Sequence, residues 1–353
     1  MRKYITGVQQ IGIGVSNLNE AWKWYRQNFS MDIKVFEDES VAELMLPHTN
    51  GETKKRHAVL ALNVQGGGGF EVWQHTERTP KAPDFEISIG DYGIFAAKLK
   101  TNDIGATYNF YKEKDINILC DITKDPSGNE HFFIKDPYGN IFQIVNEPVF
   151  FTQNKPFNGG AYGVIIGVSN IEKSLMVYKD ILEYDEIVYD KEGHFKDLEI
   201  LPGGKNKFRR VLLKHSKPRQ GGFSKMLGPS QIELVKLIDG NPRNIYENRI
   251  WGDLGFIHLC FDIVGMDYLR DECKEKGYPF TVDSAESFDM GEAAGHFSYI
   301  QDPDGTLIEF VETHRIPIIK KIGWYLNLKK RNPLKPLPDF MLKSLRFNRV
   351  KDK

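Results

Sequence analysis

Three cysteines in 353 residues, Cys120, Cys260 and Cys273, make an odd number, and none stands in a CxxC pair. Neither a disulfide framework nor a thiolate zinc site follows from them, and a reducing compartment fits best. No apolar run approaches the roughly 18 residues that a membrane helix needs. The opening MRKYITGVQQ carries charge with no apolar segment behind it, so no secretory leader is expected and the chain reads as cytoplasmic. Charge of one sign is also lacking. A formal net charge of -1, with 41% hydrophobic and 27% charged residues, excludes wholesale disorder and gives no basis for a nucleic-acid partner.

The near-neutral total hides an asymmetry. From Arg315 to Lys353 there are 12 Lys and Arg against 2 acids, a balance of +10, whereas residues 1 to 314 hold 35 against 46, a balance of -11. An acidic body with a basic extension is expected.

What the chain does contain is repetition. IGIGVSNLNEAWKWY (11 to 25) matches VIIGVSNIEKSLMVY (164 to 178), with Val15/Val168, Ser16/Ser169, Asn17/Asn170 and Tyr25/Tyr178 identical. KDPYGNIFQIVNEP (135 to 148) matches QDPDGTLIEFVETH (301 to 314), and GDYG (90 to 93) matches GDLG (252 to 255). The chain therefore divides into two halves of similar length. Each half is itself doubled, because a β-branched or aromatic run gives way to helical spacing four times, near Gln10, Ile94, Val164 and Phe256. DPYG and DPDG are turn sequences that release the chain into the apolar strands NIFQIV and TLIEFV. Four βαβββ modules are expected, at about 5 to 80, 88 to 148, 158 to 240 and 250 to 314.

Paired βαβββ modules, the phrase GVSNL-x5-WY from Gly14 and the closing DPDG-x-x-IE resemble the vicinal oxygen chelate superfamily, which includes glyoxalase I, extradiol dioxygenases and bleomycin-resistance proteins. The resemblance implies an α+β fold of two glyoxalase-like domains, at 1–150 and 151–314, followed by the basic extension 315–353. It also implies metal ligands on the first strand (His or Gln) and last strand (usually Glu) of each module. Those positions carry Gln10 and Glu71, Ala96 and Gln143, Gly163 and Glu233, and His258 and Glu309. Alternation along a strand agrees for Gln10, which shares its face with the small Gly12 and Gly14 while Ile11 and Ile13 turn to the core.

Two assemblies are open. If module one faces module four, Gln10, Glu71, His258 and Glu309 meet, a set similar to that of glyoxalase I, and Gly163, Ala96, Gln143 and Glu233 form a second, metal-free place. If the C-terminal half closes on itself, Glu233, His258 and Glu309 remain. The first is the simpler reading, since it makes one complete site and needs only one histidine.

The resemblance then implies a lyase or isomerase acting on a small-molecule substrate, with a divalent ion (zinc, nickel, iron(II), cobalt or manganese) held by Gln10, Glu71, His258 and Glu309. Glu309 is the first choice for the base and Glu71 the second. An extradiol-type dioxygenase, which needs two histidines and one carboxylate, and a non-catalytic binding protein are the alternatives. His75, His131 and His296 lie near strand ends, where surface positions are expected and pocket-lining ones are the alternative, and Gly66 to Gly69 are expected as a flexible turn rather than a phosphate cradle. In the extension, Asp339 is expected to cap a short helix whose Met341, Leu342, Leu345 and Phe347 pack as a strap on the body. Attachment to an anionic membrane surface or an acidic ligand is the less favoured reading.

Overall fold

The computed structural model describes residues 2–153, 158–285, 288–289, 294–319 and 324–352. No helix among them is long and apolar enough to cross a membrane.

The repeated phrases earn their identity in the contacts they make. Asn17 and Asn170 cap helices, their side chains accepting from Glu20 N at 3.2 Å and Lys173 N at 2.9 Å. The first helix, Leu18–Phe29, buries Leu18, Ala21, Trp22, Tyr25 and Phe29 on one face and ends at Ser30 in the left-handed region. Its counterpart Ile171–Leu175 continues as a π turn over Met176–Ile181. The hydroxyl of Tyr25 donates to Asp136 of DPYG at 2.7 Å, and that of Tyr178 donates to Asp302 of DPDG at 2.8 Å. Both aspartates also accept backbone N–H groups of their own turns. Within each half, then, a buried Tyr–Asp pair ties the first module's helix to the second module's last turn.

The sheets combine the modules differently. In the first, Tyr4–Gly14 pairs antiparallel with Gly255–Val264, and these are flanked by Gly69–His75 and Leu307–Ile319, each parallel to its neighbour. Module one thus joins module four. In the second, Asn158–Gly167 pairs antiparallel with Gly93–Thr101, flanked by Gln231–Leu237 and Ile141–Asn146, so module three joins module two. The expected boundary near residue 150 falls between the strands Ile141–Asn146 and Asn158–Gly167 and separates the sequence repeats, while each curled sheet draws one module from each half. One apolar core, with Ile11, Phe70, Phe142, Val164, Phe261 and Phe310 among its buried members, runs through all four modules.

The glycine run is a joint. Gly67 N donates to Met226 O at 2.9 Å, and Gly68 and Ala161 exchange both backbone hydrogen bonds at 2.8 and 2.7 Å. A methyl group on Gly68 would lie 2.7 Å from Val8 O, and one on Gly160 2.3 Å from Gly68 O. The run is buried where two backbones touch, which corrects the flexible-turn expectation: glycine serves here for close approach.

The extension packs as a strap. Trp324–Asn327 adds to the end of the Leu307–Ile319 strand, Leu337 N donates to Gly222 O at 2.8 Å, and Leu337 and Leu342 are buried with Leu62, Val64, Met226 and Leu227. Two details differ from expectation. Asp339 opens the helix Asp339–Ser344 without capping it, because it follows Pro338 directly and its carboxylate pairs with Lys225 at 2.7 Å. Phe347, on the short 3-10 turn beyond, is 81% exposed.

Candidate metal centre

The four central strands of the first sheet bring Gln10, Glu71, His258 and Glu309 together on the concave face. His258 has no exposure and the other three are buried. His258 Nε2 lies 3.0 Å from Glu309 Oε2 and 3.3 Å from Glu71 Oε2. Gln10 Nε2 lies 3.2 Å from Glu309 Oε2 and 3.4 Å from Glu71 Oε2. The ligand atoms of Glu71, His258 and Glu309 all fall within 4.8 Å of one another.

Space for the imidazole comes from Gly12, its partner across the Tyr4–Gly14 and Gly255–Val264 ladder. A methyl group there would stand 2.4 Å from His258 Cε1. The donor chemistry fits a borderline divalent cation. Buried polar atoms are ordinarily satisfied, yet neither ring nitrogen of His258 nor Gln10 Oε1 has a directional hydrogen-bond partner. A half-turn of the Gln10 amide presents Oε1 where Nε2 now stands. Ligand bonds of roughly 2.0 to 2.2 Å around one centre give separations close to those between these side chains. Burial lowers the affinity of His258 for a proton, but Glu309 and then Glu71 outweigh it and lift the group to about 9. For Glu309, burial raises the carboxyl and His258 draws it back below the usual value. Two carboxylates are thus balanced on one imidazolium where a cation would otherwise stand.

Gln10, Glu71 and Glu309 edge a cavity of about 570 Å³, with the fully buried His258 behind them, within the range of small-molecule sites. Sequence reasoning missed several of its polar lining groups. A β-bulge between Val8 and Gln10 lets Gln9 and Gln10 both line the cavity. Tyr299 sits in register with Glu309 and edge-on to the His258 ring, centroids 5.6 Å apart. Asp262 continues the face of His258 and Cys260, and burial lifts its carboxyl to about 8 against the opposing bonds from Thr6 and Gln9. The alternation His258, Cys260, Asp262 could have revealed it. The three histidines expected at the surface are buried instead. His296 lines the cavity and bonds Asp283 at 2.5 Å, His131 lies 3.3 Å from Asp197, and His75 packs edge-on to Trp73. Each stands near a strand end.

The corresponding place in the second sheet is filled from within. Gly163 and Ala96 supply no donor, and a methyl group on Gly163 would lie 1.7 Å from Gln231 O. Ile165, at the repeat position of Gly12, packs in one apolar cluster with Ala96. Glu233 accepts from Lys98 at 2.7 Å, from Arg210 Nε at 2.8 Å and from Tyr189 at 2.8 Å. Burial alone would raise its carboxyl, but Arg210 and then Lys98 hold it well below the usual range. Two side-chain cations stand there, and Glu233 lies in a different sheet from His258 and Glu309. Among the described residues, Glu71, His258 and Glu309 form the one cluster with metal-ligand spacing.

The sequence model described as the Glyoxalase/Bleomycin resistance protein/Dioxygenase superfamily matches residues 7–144. No curated protein matches the chain. Among solved structures, glyoxalase I from Zea mays superposes with a TM-score of 0.54 and 13% identity, covering 88% of this chain and 92% of that one. A candidate dioxygenase from Bacillus subtilis gives 0.56 and 13%, covering 88% and 86%. At such identity the likeness is one of fold, and the two neighbours carry different chemistries. The family match thus covers the first two modules, and the whole chain shares the fold of these neighbours, with the same module repeated in the last two and two curled sheets of the same build.

Proposed function

We propose that the protein is a metal-dependent lyase or isomerase of the glyoxalase type, removing a proton from the carbon beside a carbonyl of a small molecule. The observation that carries this reading is the convergence of Gln10, Glu71 and Glu309 on a fully buried His258 at the wall of a cavity. A divalent cation of the zinc, nickel, iron(II), cobalt or manganese class, when bound by these four side chains, supplies Lewis-acid polarisation of a carbonyl. His258 and Gln10 serve as ligands only, since neither side chain is placed to release a proton once bound. Glu309 is the base. It faces the cavity, and Tyr299 beside it orients the carboxylate. Glu71, on the opposite flank, is the second carboxylate able to take the proton. The one-histidine set lacks the second imidazole that a ring-cleaving iron site uses.

The test joins metal analysis to isotope exchange. Protein purified without added ions should carry a stoichiometric divalent metal, and His258→Ala should lose metal and activity together. Glu309→Gln can still coordinate, so it should keep most of its metal while exchange of substrate α-deuterium with solvent falls by about 10²-fold to 10⁴-fold. Exchange at the wild-type rate in Glu309→Gln would remove Glu309 from the role. Metal-free protein as purified would favour a binding module, and oxygen uptake with a catechol would favour the dioxygenase.

A further inference from the structure

We propose that the substrate is an uncharged carbonyl compound with a long apolar body, and that the C-terminal strap forms one wall of its site. This rests on the reading of the same cavity as the reaction site. Gln10, Glu71, Glu309, Tyr299 and Asp262 line one part of the cavity, and Asp38, Ser40, Glu43 and Arg56 of the first module add a second polar group. An apolar wall is made of side chains from three separate parts of the chain: Leu62 of the first module, Phe223 and Met226 of the third, and Leu337, Met341 and Leu345 of the strap. The strap is fixed to the same loop that carries Phe223, through Leu337 N to Gly222 O at 2.8 Å and Gly221 N to Leu334 O at 3.3 Å. Although the extension is basic, it turns its cations away from the cavity: Lys343 and Arg346 are exposed, while Leu342 beside Lys343 is buried.

Charge narrows the class further. Among the described residues that line the cavity, Arg56 is the one Lys or Arg, and it is already paired with Asp38 at 3.0 Å. Asp38, Glu43, Glu71, Asp262 and Glu309 supply five carboxyl groups. A glutathione adduct with its carboxylates, or a coenzyme thioester with its phosphates, would meet no free countercharge there and would lose its hydration without return. An alkyl or aryl body loses nothing by leaving water and gains from each methylene buried.

Calorimetric titration of the metal-loaded full-length protein with a homologous series from hydroxyacetone to 1-hydroxy-2-octanone tests this. Affinity should rise by about two- to four-fold per added methylene, and the octanone should outcompete the methylglyoxal–glutathione hemithioacetal. Met341→Asp and Leu345→Asp should flatten the chain-length dependence, and Phe347→Asp, outside the cavity, should leave the series intact. If a strap variant melts early, the wild-type series alone still decides. No dependence on chain length, or tighter binding of the hemithioacetal, overturns the proposal. The apolar wall does not depend on the metal, so the slope should persist in His258→Ala. A slope retained without metal binding or proton exchange would sink the enzymatic reading alone. Metal and exchange retained without a slope would sink the substrate class alone.

Discussion

At Gly12 a methyl group would stand 2.4 Å from the imidazole of His258, so the metal-ligand position on one strand depends on a side chain missing from its neighbour. Gly12→Ala should displace the ring at a cost of about 1 to 3 kcal/mol, seen as metal affinity weakened about 5-fold to 150-fold; unchanged affinity in a metal titration would show that the ring has slack. The glycine was readable in advance as a residue that leaves room, because it alternates with Gln10. The use of that room by His258, 246 positions later in the chain, was not, since alternation says which face a residue takes and not what crosses it. Asp262 makes a second prediction at this scale. Its carboxyl is lifted to about 8, burial being the largest cause, whereas an unfolded chain titrates near 4. Between those values the folded protein binds the extra proton, so this group's contribution to stability is complete below about pH 4 and is lost as pH rises through about 8, by up to about 1.4 kcal/mol per pH unit. Asp262→Asn should flatten that decline in denaturation midpoints measured from pH 5 to 9; an unaltered slope would assign the decline elsewhere.

Strand by strand, the family resemblance named Gln10, Glu71, His258 and Glu309, and period-2 alternation agreed for Glu71, His258 and Glu309, which stand between apolar neighbours that must turn the other way. It failed at the bulge between Val8 and Gln10, where an extra residue puts Gln9 in the cavity too. Nothing in the letters marks that bulge. The second sheet was legible by subtraction, from Gly163 and Ala96, but what replaced the metal was not. Lys98 stands two residues past Ala96 on its own strand, and Arg210 arrives from the neighbouring strand Phe208–Lys214. Arg210 is fully buried and bonds both Glu233 and Asp197. Arg210→Leu should therefore strand buried carboxylates and cost about 3 to 5 kcal/mol. Denaturant midpoints measure it, and a loss under about 1 kcal/mol would mean that Lys98 and Tyr189 suffice.

Across the whole molecule, the repeats revealed four modules because duplicated phrases keep duplicated tasks: Asn17 and Asn170 cap, Tyr25 and Tyr178 reach the turn aspartates. The strap has no counterpart in the repeats, so only its composition spoke for it, and composition gave the packing of Leu342 but not the outward Phe347. Its weight can be measured. Leu337 and Leu342 are each 1% exposed and cover Leu62, Val64 and Leu227. Burying a leucine side chain is worth about 1.5 to 3 kcal/mol, and the backbone bond to Gly222 and the Lys225–Asp339 pair, half-exposed and worth little, add less. A chain ending at Asn332 would lose that burial and leave a wall of the cavity open to water. At about 2 to 4 °C per kcal/mol for chains of 150 residues or more, its melting temperature should fall by roughly 5 °C or more, and a dye that fluoresces on apolar surface should bind at once. If the strap served instead to hold the protein on an anionic membrane, truncation would leave the melting temperature where it is and abolish binding to acidic liposomes. The two readings give opposite results in the same pair of measurements.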